Sequence, residues 1–208
     1  VVNTVSRLVL DTERFENDNE EVMSEKGLGV IYTKTADGRV LRKLPGAHER
    51  DLLLGKFYRP YHSALEREVE AALNSLGSCL IIDCHSFSSI PLPYEFCRDA
   101  DRPDICMGTD EVHTPVGLVQ AALDYFKARG LSTALNHPFA GTYVPLKFYR
   151  RDFRVKSIMI EVNKRLYMNE KTLEKKPEFY EIKASLKGLI EIISRYKGCT
   201  WAGMAFMT

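Results

Sequence analysis

Cys79-Leu80-Ile81-Ile82-Asp83-Cys84-His85-Ser86 is an apolar run that ends abruptly in polar residues. A short apolar run of this kind is typical of a strand that is buried inside a sheet. In open α/β sheets, ligands bind outside the carboxyl ends of the strands. Asp83 and His85 stand at that end, so they are the first candidates for a functional site.

The segments on both sides of this run predict the rest of the fold. Residues 157–162 form a second buried apolar run, and 132–135 a shorter one; 5–10 and 28–33 also resemble strands. Apolar residues recur at helical spacing over 49–76, 116–129 and 177–196, with a break expected near Pro60. Strands that alternate with helices indicate one α/β domain over residues 1–208, with a mostly parallel or mixed central sheet flanked by helices.

Composition excludes several classes of protein. The 208 residues carry a formal net charge of +1, without the basic excess that a duplex nucleic-acid binder normally shows. No apolar run approaches the roughly 20 residues of a membrane span. The five cysteines include no Cys-x-x-Cys pair, which argues against a cysteine zinc site and favours a reducing cytoplasm. We expect a cytoplasmic protein that binds neither nucleic acid nor membrane.

Two residues at the strand ends have both a functional and a structural interpretation. His85 could bind a metal through one ring nitrogen, or it could be a hydrogen-bonded core histidine. Glu161 places a carboxylate inside the apolar strand Ser157-Ile158-Met159-Ile160-Glu161-Val162. Such a carboxylate is either the partner of a buried ion pair or a general base that acts on water. Asn136 follows the shorter strand, and we expect it at the same edge of the sheet.

Two arginines near the start of the chain could recognise an anion. Arg14 lies in Asp11-Thr12-Glu13-Arg14, and its guanidinium could grip a carboxylate with two hydrogen bonds. Arg7 lies inside the preceding apolar run. It could polarise a substrate carbonyl or pair with a buried acid.

Three blocks together resemble the N-formylglutamate amidohydrolase family, and the resemblance spans nearly the whole chain. They are Val5-Ser6-Arg7-Leu8-Val9-Leu10-Asp11-Thr12-Glu13-Arg14, Leu80-Ile81-Ile82-Asp83-Cys84-His85-Ser86-Phe87 and Ile160-Glu161-Val162-Asn163-Lys164-Arg165-Leu166-Tyr167-Met168. The family is similar to zinc carboxypeptidases and aspartoacylases, so the resemblance implies a zinc-carboxypeptidase and phosphorylase/hydrolase-like fold. Glu13 stands where the family pattern has Asn.

The resemblance also implies roles for individual residues. His85 would bind one Zn²⁺ ion, and Glu161 would be the general base. Arg14 would hold the substrate carboxylate, with Arg7 assisting at the oxyanion or at a carboxylate. Asn136, Gly141 and Thr142 would line the substrate site. The family's other metal ligands come from a block that would stand upstream of Val1, so the chain is expected to lack its first strand and those ligands.

The implied activity is hydrolysis of a small anionic N-acyl amino acid, with N-formyl-L-glutamate giving formate and L-glutamate, as in histidine degradation. Two alternatives stay open from the residues alone. One is a related zinc amidase or carboxypeptidase that acts on peptides or cell-wall fragments. The other is an inactive relative that binds a small acidic metabolite. The sequence does not address the oligomeric state.

Overall fold

The computed structural model describes residues 1–196 and the backbone of residues 204–207. The chain forms two compact units, Val1–Arg67 with Leu92–Phe96 and Glu68–Pro91 with Cys97–Thr208. A single domain over 1–208 stays a prediction. Cys199 and most of the tail from Trp201, for which the sequence offers no interpretation, lie outside the described residues.

The first unit is built from turns and a long helix. A 3-10 helix spans Val22–Lys26, and α1 spans Ala47–Leu53. Residues 5–10 form turns rather than the expected strand. Residues 28–33 do not form the expected strand either. Their apolar side chains pack instead into a cluster with the helix; its buried members are Leu10, Val30, Ile31, Leu54 and Tyr58.

Pro60 does not break the helix, although it does disturb it. A π-helical turn, Leu54–Tyr58, connects α1 directly to α2, Arg59–Leu76. Proline has no N–H to donate to the preceding turn and its ring crowds the carbonyl four residues earlier. At Arg59 the backbone N–H bonds to the carbonyl of Leu54, five residues back. The helix therefore widens for one turn before Pro60 and then continues.

The second unit contains a mixed sheet. Its strands are β1 Cys79–Phe87, β2 Ile105–Gly108, β3 Thr133–Leu135, β4 Val155–Asn163 and β5 Met204–Met207. The spatial order is β3-β2-β4-β1-β5. Strands β1, β4 and β5 run parallel, whereas β2 is antiparallel to β4, and β3 runs with β2. The expectation of an α/β fold with a mixed sheet is confirmed.

The core of the second unit lies on one face of this sheet. Successive strand residues point to opposite faces. Leu80 and Ile82 of β1, with Ile158, Ile160 and Val162 of β4, pack against two helices. These are α3, Val116–Lys127, and α4, Phe179–Ile193. The opposite face carries the alternate residues, and these include the polar candidates.

Among the described residues, no helix combines the length and the apolar character needed to cross a membrane.

Candidate active site

His85 and Glu161 lie side by side on neighbouring parallel strands. The register pairs His85 of β1 with Glu161 of β4, and Glu161 with Cys106 of β2. Neighbouring strands are about 4.8 Å apart, and side chains in register point to the same face. Cys106, Glu161 and His85 therefore form one row across the sheet, on the face opposite α3 and α4. Glu161 is 7% exposed in this row.

Asp83 holds His85 from within the same strand. Residues two apart share a face, and the Nε2 atom of His85 lies 2.8 Å from Oδ1 of Asp83. The second oxygen of Asp83 accepts a hydrogen bond from the backbone N–H of Tyr143, at 3.1 Å. Asp83 is thus a buried carboxylate that contacts the imidazole through one oxygen and is anchored to the segment containing Tyr143 through the other.

The donor atoms on this face are of the chemical types that bind zinc. Zinc sites in proteins use imidazole nitrogen and carboxylate oxygen, and a carboxylate behind a ligating imidazole fixes its orientation. His85 and Asp83 stand in this relation. A catalytic zinc takes three protein ligands, so a zinc ion bound by His85 would need two further protein donors.

The two cysteines near the site, the partly buried Cys84 and the buried Cys106, are thiols rather than thiolates. Burial raises the pKa of Cys84 to about 11, and the Asp83 charge adds to the effect. Burial also raises the pKa of Cys106, whose thiol donates to the Phe139 carbonyl at 3.2 Å and lies near the Glu161 charge. A protonated thiol is a poor nucleophile and a poor metal ligand. Within the row, Glu161 and His85 are therefore the two residues that suit acid–base chemistry or metal binding.

Gly141 and Thr142 lie over the same face. A Cβ atom on Gly108 would come within 2.0 Å of the Gly141 carbonyl oxygen, which shows how closely this segment crosses β2. The Thr142 and Ser157 hydroxyls are 2.6 Å apart, and Ser157 donates to the Tyr143 carbonyl at 2.7 Å. The segment is thus anchored on β4 and on Asp83, one row or more away from His85.

Asn136 is not brought to the edge where β1 and β4 end. Asn136 follows β3, and β3 runs in the direction opposite to β4. The carboxyl end of β3 therefore points toward the amino end of β4. The Asn136 side chain is engaged with Thr109: Oδ1 accepts from the Thr109 N–H at 2.9 Å, and Nδ2 donates to its hydroxyl at 2.8 Å. The expected convergence at one edge fails for Asn136 because it assumed that β3 runs parallel to the long strands.

Arg7 and Arg14 lie in the first unit, around the buried Asp11. Arg7 forms an ion pair with Glu13, the residue that departs from the family pattern. The guanidinium thus balances the negative charge of Glu13 locally. Arg14 Nε is 3.5 Å from Asp11 Oδ2. The Tyr32 hydroxyl also donates to Asp11 Oδ2, at 2.6 Å, and burial together with the Asp11 charge raises the Tyr32 pKa. The carboxylate of Asp11 is thus the common partner of Arg7, Arg14 and Tyr32.

Sequence reasoning placed Asp83 at the functional end of its strand without assigning it a role, and it did not single out Cys106. The contact of Asp83 with His85 could have been predicted from the Asp-x-His spacing, because residues two apart in a strand share a face. Cys106 carried no local signal, since its place beside Glu161 depends on the pairing of β2 with β4.

Comparisons with known proteins agree on one family. A family model described as N-formylglutamate amidohydrolase matches residues 1–168. The chain is 28% identical over 170 residues to an N-formylglutamate deformylase of Pseudomonas aeruginosa, a match that covers 79% of this chain and 62% of that protein. An N-formylglutamate deformylase of Pseudomonas putida matches to the same extent. The chain spans less than two thirds of the length of these relatives.

Solved structures show the same fold. The crystal structure of an N-formylglutamate amidohydrolase from Ralstonia eutropha superposes with a TM-score of 0.74 at 23% identity, covering 92% of this chain and 75% of that one. A protein from Agrobacterium tumefaciens superposes with a TM-score of 0.62 at 18% identity, covering 90% of this chain and 67% of that one.

Proposed function

The chain belongs to the N-formylglutamate amidohydrolase family, and on this premise we propose that it hydrolyses the amide bond of an N-acyl acidic amino acid. The preferred substrate is N-formyl-L-glutamate, and the products are formate and L-glutamate. The relatives of known name support this choice of substrate. The observation that carries the proposal is the register that sets Glu161 beside His85 on one face of the sheet.

In this proposal His85 would hold one zinc ion, and Asp83 would orient the imidazole. When bound, zinc polarises the formyl carbonyl and lowers the pKa of a water molecule. Glu161 takes one proton from the attacking water as its oxygen adds to the formyl carbon. Glu161 then returns this proton to the nitrogen of the amino acid as the carbon–nitrogen bond breaks, which balances the hydrolysis.

The remaining residues bind and position the substrate. Arg14 holds a carboxylate of the substrate, and Arg7 assists at the oxyanion or at a carboxylate. Gly141 and Thr142 belong to the segment that covers the face of the sheet carrying His85, which supports a place for them beside the substrate. A binding role for Asn136 stays a prediction. A cytoplasmic location and a place in histidine degradation also stay predictions. The cysteines at 79, 84, 97 and 106 are free thiols, which is consistent with a reducing compartment.

The experiment measures zinc content and formate release in the same samples. Metal-free protein is titrated with Zn²⁺ and then given N-formyl-L-glutamate, N-formyl-L-leucine or short peptides. We expect one zinc per chain, its loss in His85→Ala, and formate released fastest from N-formyl-L-glutamate. Cleavage of the peptides instead would favour the peptidase alternative. Zinc-loaded protein that binds N-formyl-L-glutamate without releasing formate would favour the inactive relative.

A further inference from the structure

The loop that carries Arg14 is fixed at nearly every residue. Backbone N–H groups of Asp11, Glu13 and Phe15 donate to Val30 O, Asp11 Oδ1 and Glu21 Oε2. The carbonyls of Thr12 and Arg14 accept hydrogen bonds from two side chains of the long helix. We propose that these two side chains, Tyr58 and His62, are positioning residues that set Arg14 for carboxylate recognition. The inference rests on the proposed role of Arg14 as the carboxylate anchor.

Tyr58 and His62 act from one face of the helix. Tyr58 closes the π-helical turn and His62 lies one turn later, with the two ring centroids 4.1 Å apart. The Tyr58 hydroxyl donates to the Arg14 carbonyl at 2.9 Å, and His62 Nε2 lies 2.8 Å from the Thr12 carbonyl. A carbonyl only accepts, so His62 carries a proton on Nε2. Both polar groups are thus directed at the backbone of one loop, two residues apart.

The neighbours of Arg14 orient its guanidinium but leave hydrogen-bond donors available for a ligand. Its Nε lies 3.5 Å from Asp11, and its Nη1 lies 3.7 Å from Glu21, whose carboxylate also holds the loop. Both separations are longer than a good hydrogen bond. Within residues 1–196, Nε is buried and makes no hydrogen bond, and Nη2 makes none either. The end formed by Nη1 and Nη2 can therefore take a carboxylate in the two-bond geometry that arginine favours.

The purpose of the two helix side chains follows from this arrangement. Asp11 and Glu21 attract the guanidinium toward themselves, and a mobile loop would let it collapse onto them. Hydrogen bonds from Tyr58 and His62 to the carbonyls of Arg14 and Thr12 fix the backbone of the loop. The fixed backbone keeps the guanidinium 3.5 Å from Asp11 and 3.7 Å from Glu21. Preorganisation of this kind improves binding because the binding step does not have to order the loop.

The first arm of the test is kinetic. Tyr58→Phe and His62→Gln each remove one hydrogen bond, so we expect KM for N-formyl-L-glutamate to rise by about three- to tenfold. The value of kcat should stay within about twofold, because neither residue touches the reacting atoms. In an Arg14→Gln background the same substitutions should add little, since residues that act through one another are non-additive. His48→Gln, an exposed histidine of α1, is the matched control and should match wild type.

The second arm does not depend on activity. The Nε–H of Arg14 is identified in a nitrogen–hydrogen correlation spectrum by its loss in Arg14→Lys, and its hydrogen exchange is timed. We expect exchange to accelerate by about tenfold or more in Tyr58→Phe and His62→Gln, because local opening exposes the buried group. His48→Gln should not change it.

The outcomes separate this inference from the proposed function. If wild-type protein releases no formate, the proposed function fails, and the exchange arm still decides whether Arg14 is positioned by the helix. If Tyr58→Phe and His62→Gln leave Arg14 exchange unchanged, the inference is overturned. It is also overturned if they impair turnover equally with and without Arg14, because that result describes general damage to the fold.

Discussion

At the scale of single residues, the carboxylate of Glu161 stands out because it occupies a buried strand position that apolar side chains would fill more easily. A buried carboxylate is unfavourable unless neighbouring groups compensate for the loss of water. Its neighbours in the row are a protonated thiol, Cys106, and the imidazole of His85. An acid kept beside an imidazole in this way is suited to exchange protons with a water molecule at that position.

Asp83 provides the first prediction at this scale. Asp83→Asn removes the charge that faces Nε2 of His85 while keeping the shape of the side chain. Loss of such a carboxylate typically weakens metal affinity by about 10- to 100-fold. A competition titration with a chromophoric zinc chelator measures the effect, and the exposed Asp101→Asn serves as control. Equal affinities for the two variants would show that Asp83 does not support the metal ligand.

His62 predicts a dependence of stability on pH. Burial lowers the pKa of His62 from 6.5, against an opposing effect of the Thr12 carbonyl and Glu16. The unfolded chain therefore binds the proton more readily than the folded one, so the stability due to neutral His62 is complete above pH 6.5. It is lost as the pH falls below 6.5 toward the lowered pKa.

Denaturant titrations of wild type and His62→Gln from pH 7.5 to 5 measure this effect. The free energy of unfolding of wild type should fall more steeply with acid than that of the variant. Parallel curves would contradict the prediction.

At the scale of helices and strands, patterns that depend on local sequence were predictable. The apolar runs at 79–86 and 157–162 are β1 and β4, and the periodic segments at 116–129 and 177–196 are α3 and α4. The run at 5–10 is not a strand, because Leu10 packs with Val30 and Tyr58 rather than in a sheet. Apolar character alone does not distinguish these two ways of becoming buried.

Strand direction was the other limit of the sequence. Nothing within Thr133–Leu135 specifies whether that strand runs with β4 or against it, since direction is set by its pairing with β2. This is why His85 and Glu161 were correctly expected at one edge while Asn136 was not brought there. The pairing of Arg7 with Glu13 and the engagement of Asn136 with Thr109 also depend on tertiary contacts.

Gly108 supplies a prediction at this scale. Its Cβ would meet the Gly141 carbonyl oxygen at 2.0 Å, and a backbone atom cannot yield as a flexible side chain would. Gly108→Ala should therefore lower the free energy of unfolding by about 1–3 kcal/mol, as overpacking does. It should also raise KM by displacing the segment with Thr142. Gly55→Ala is the control, because the nearest atom to its added Cβ is the end of Arg59 at 3.9 Å. Equal stability of the two variants would exclude a close approach at Gly108.

At the scale of the whole molecule, the candidate residues are distributed over both compact units. The first unit holds the arginines and the helix side chains that fix their loop. The second holds the sheet on which His85, Asp83 and Glu161 share a face. Membership of the family was recognisable from three short blocks of sequence, because each block coincides with one local feature of the structure: the arginine loop, the end of β1 and the end of β4.

The central claim is that Glu161 moves the proton in an amide hydrolysis beside a zinc held by His85. Its most direct test is kcat/KM for formate release from N-formyl-L-glutamate by Glu161→Gln, with Glu181→Gln, an exposed position on α4, as control and with bound zinc measured in every sample. We predict a loss of about 10²- to 10⁴-fold in Glu161→Gln with zinc content retained, and no loss in Glu181→Gln. A zinc-loaded Glu161→Gln that is as active as Glu181→Gln would contradict the account.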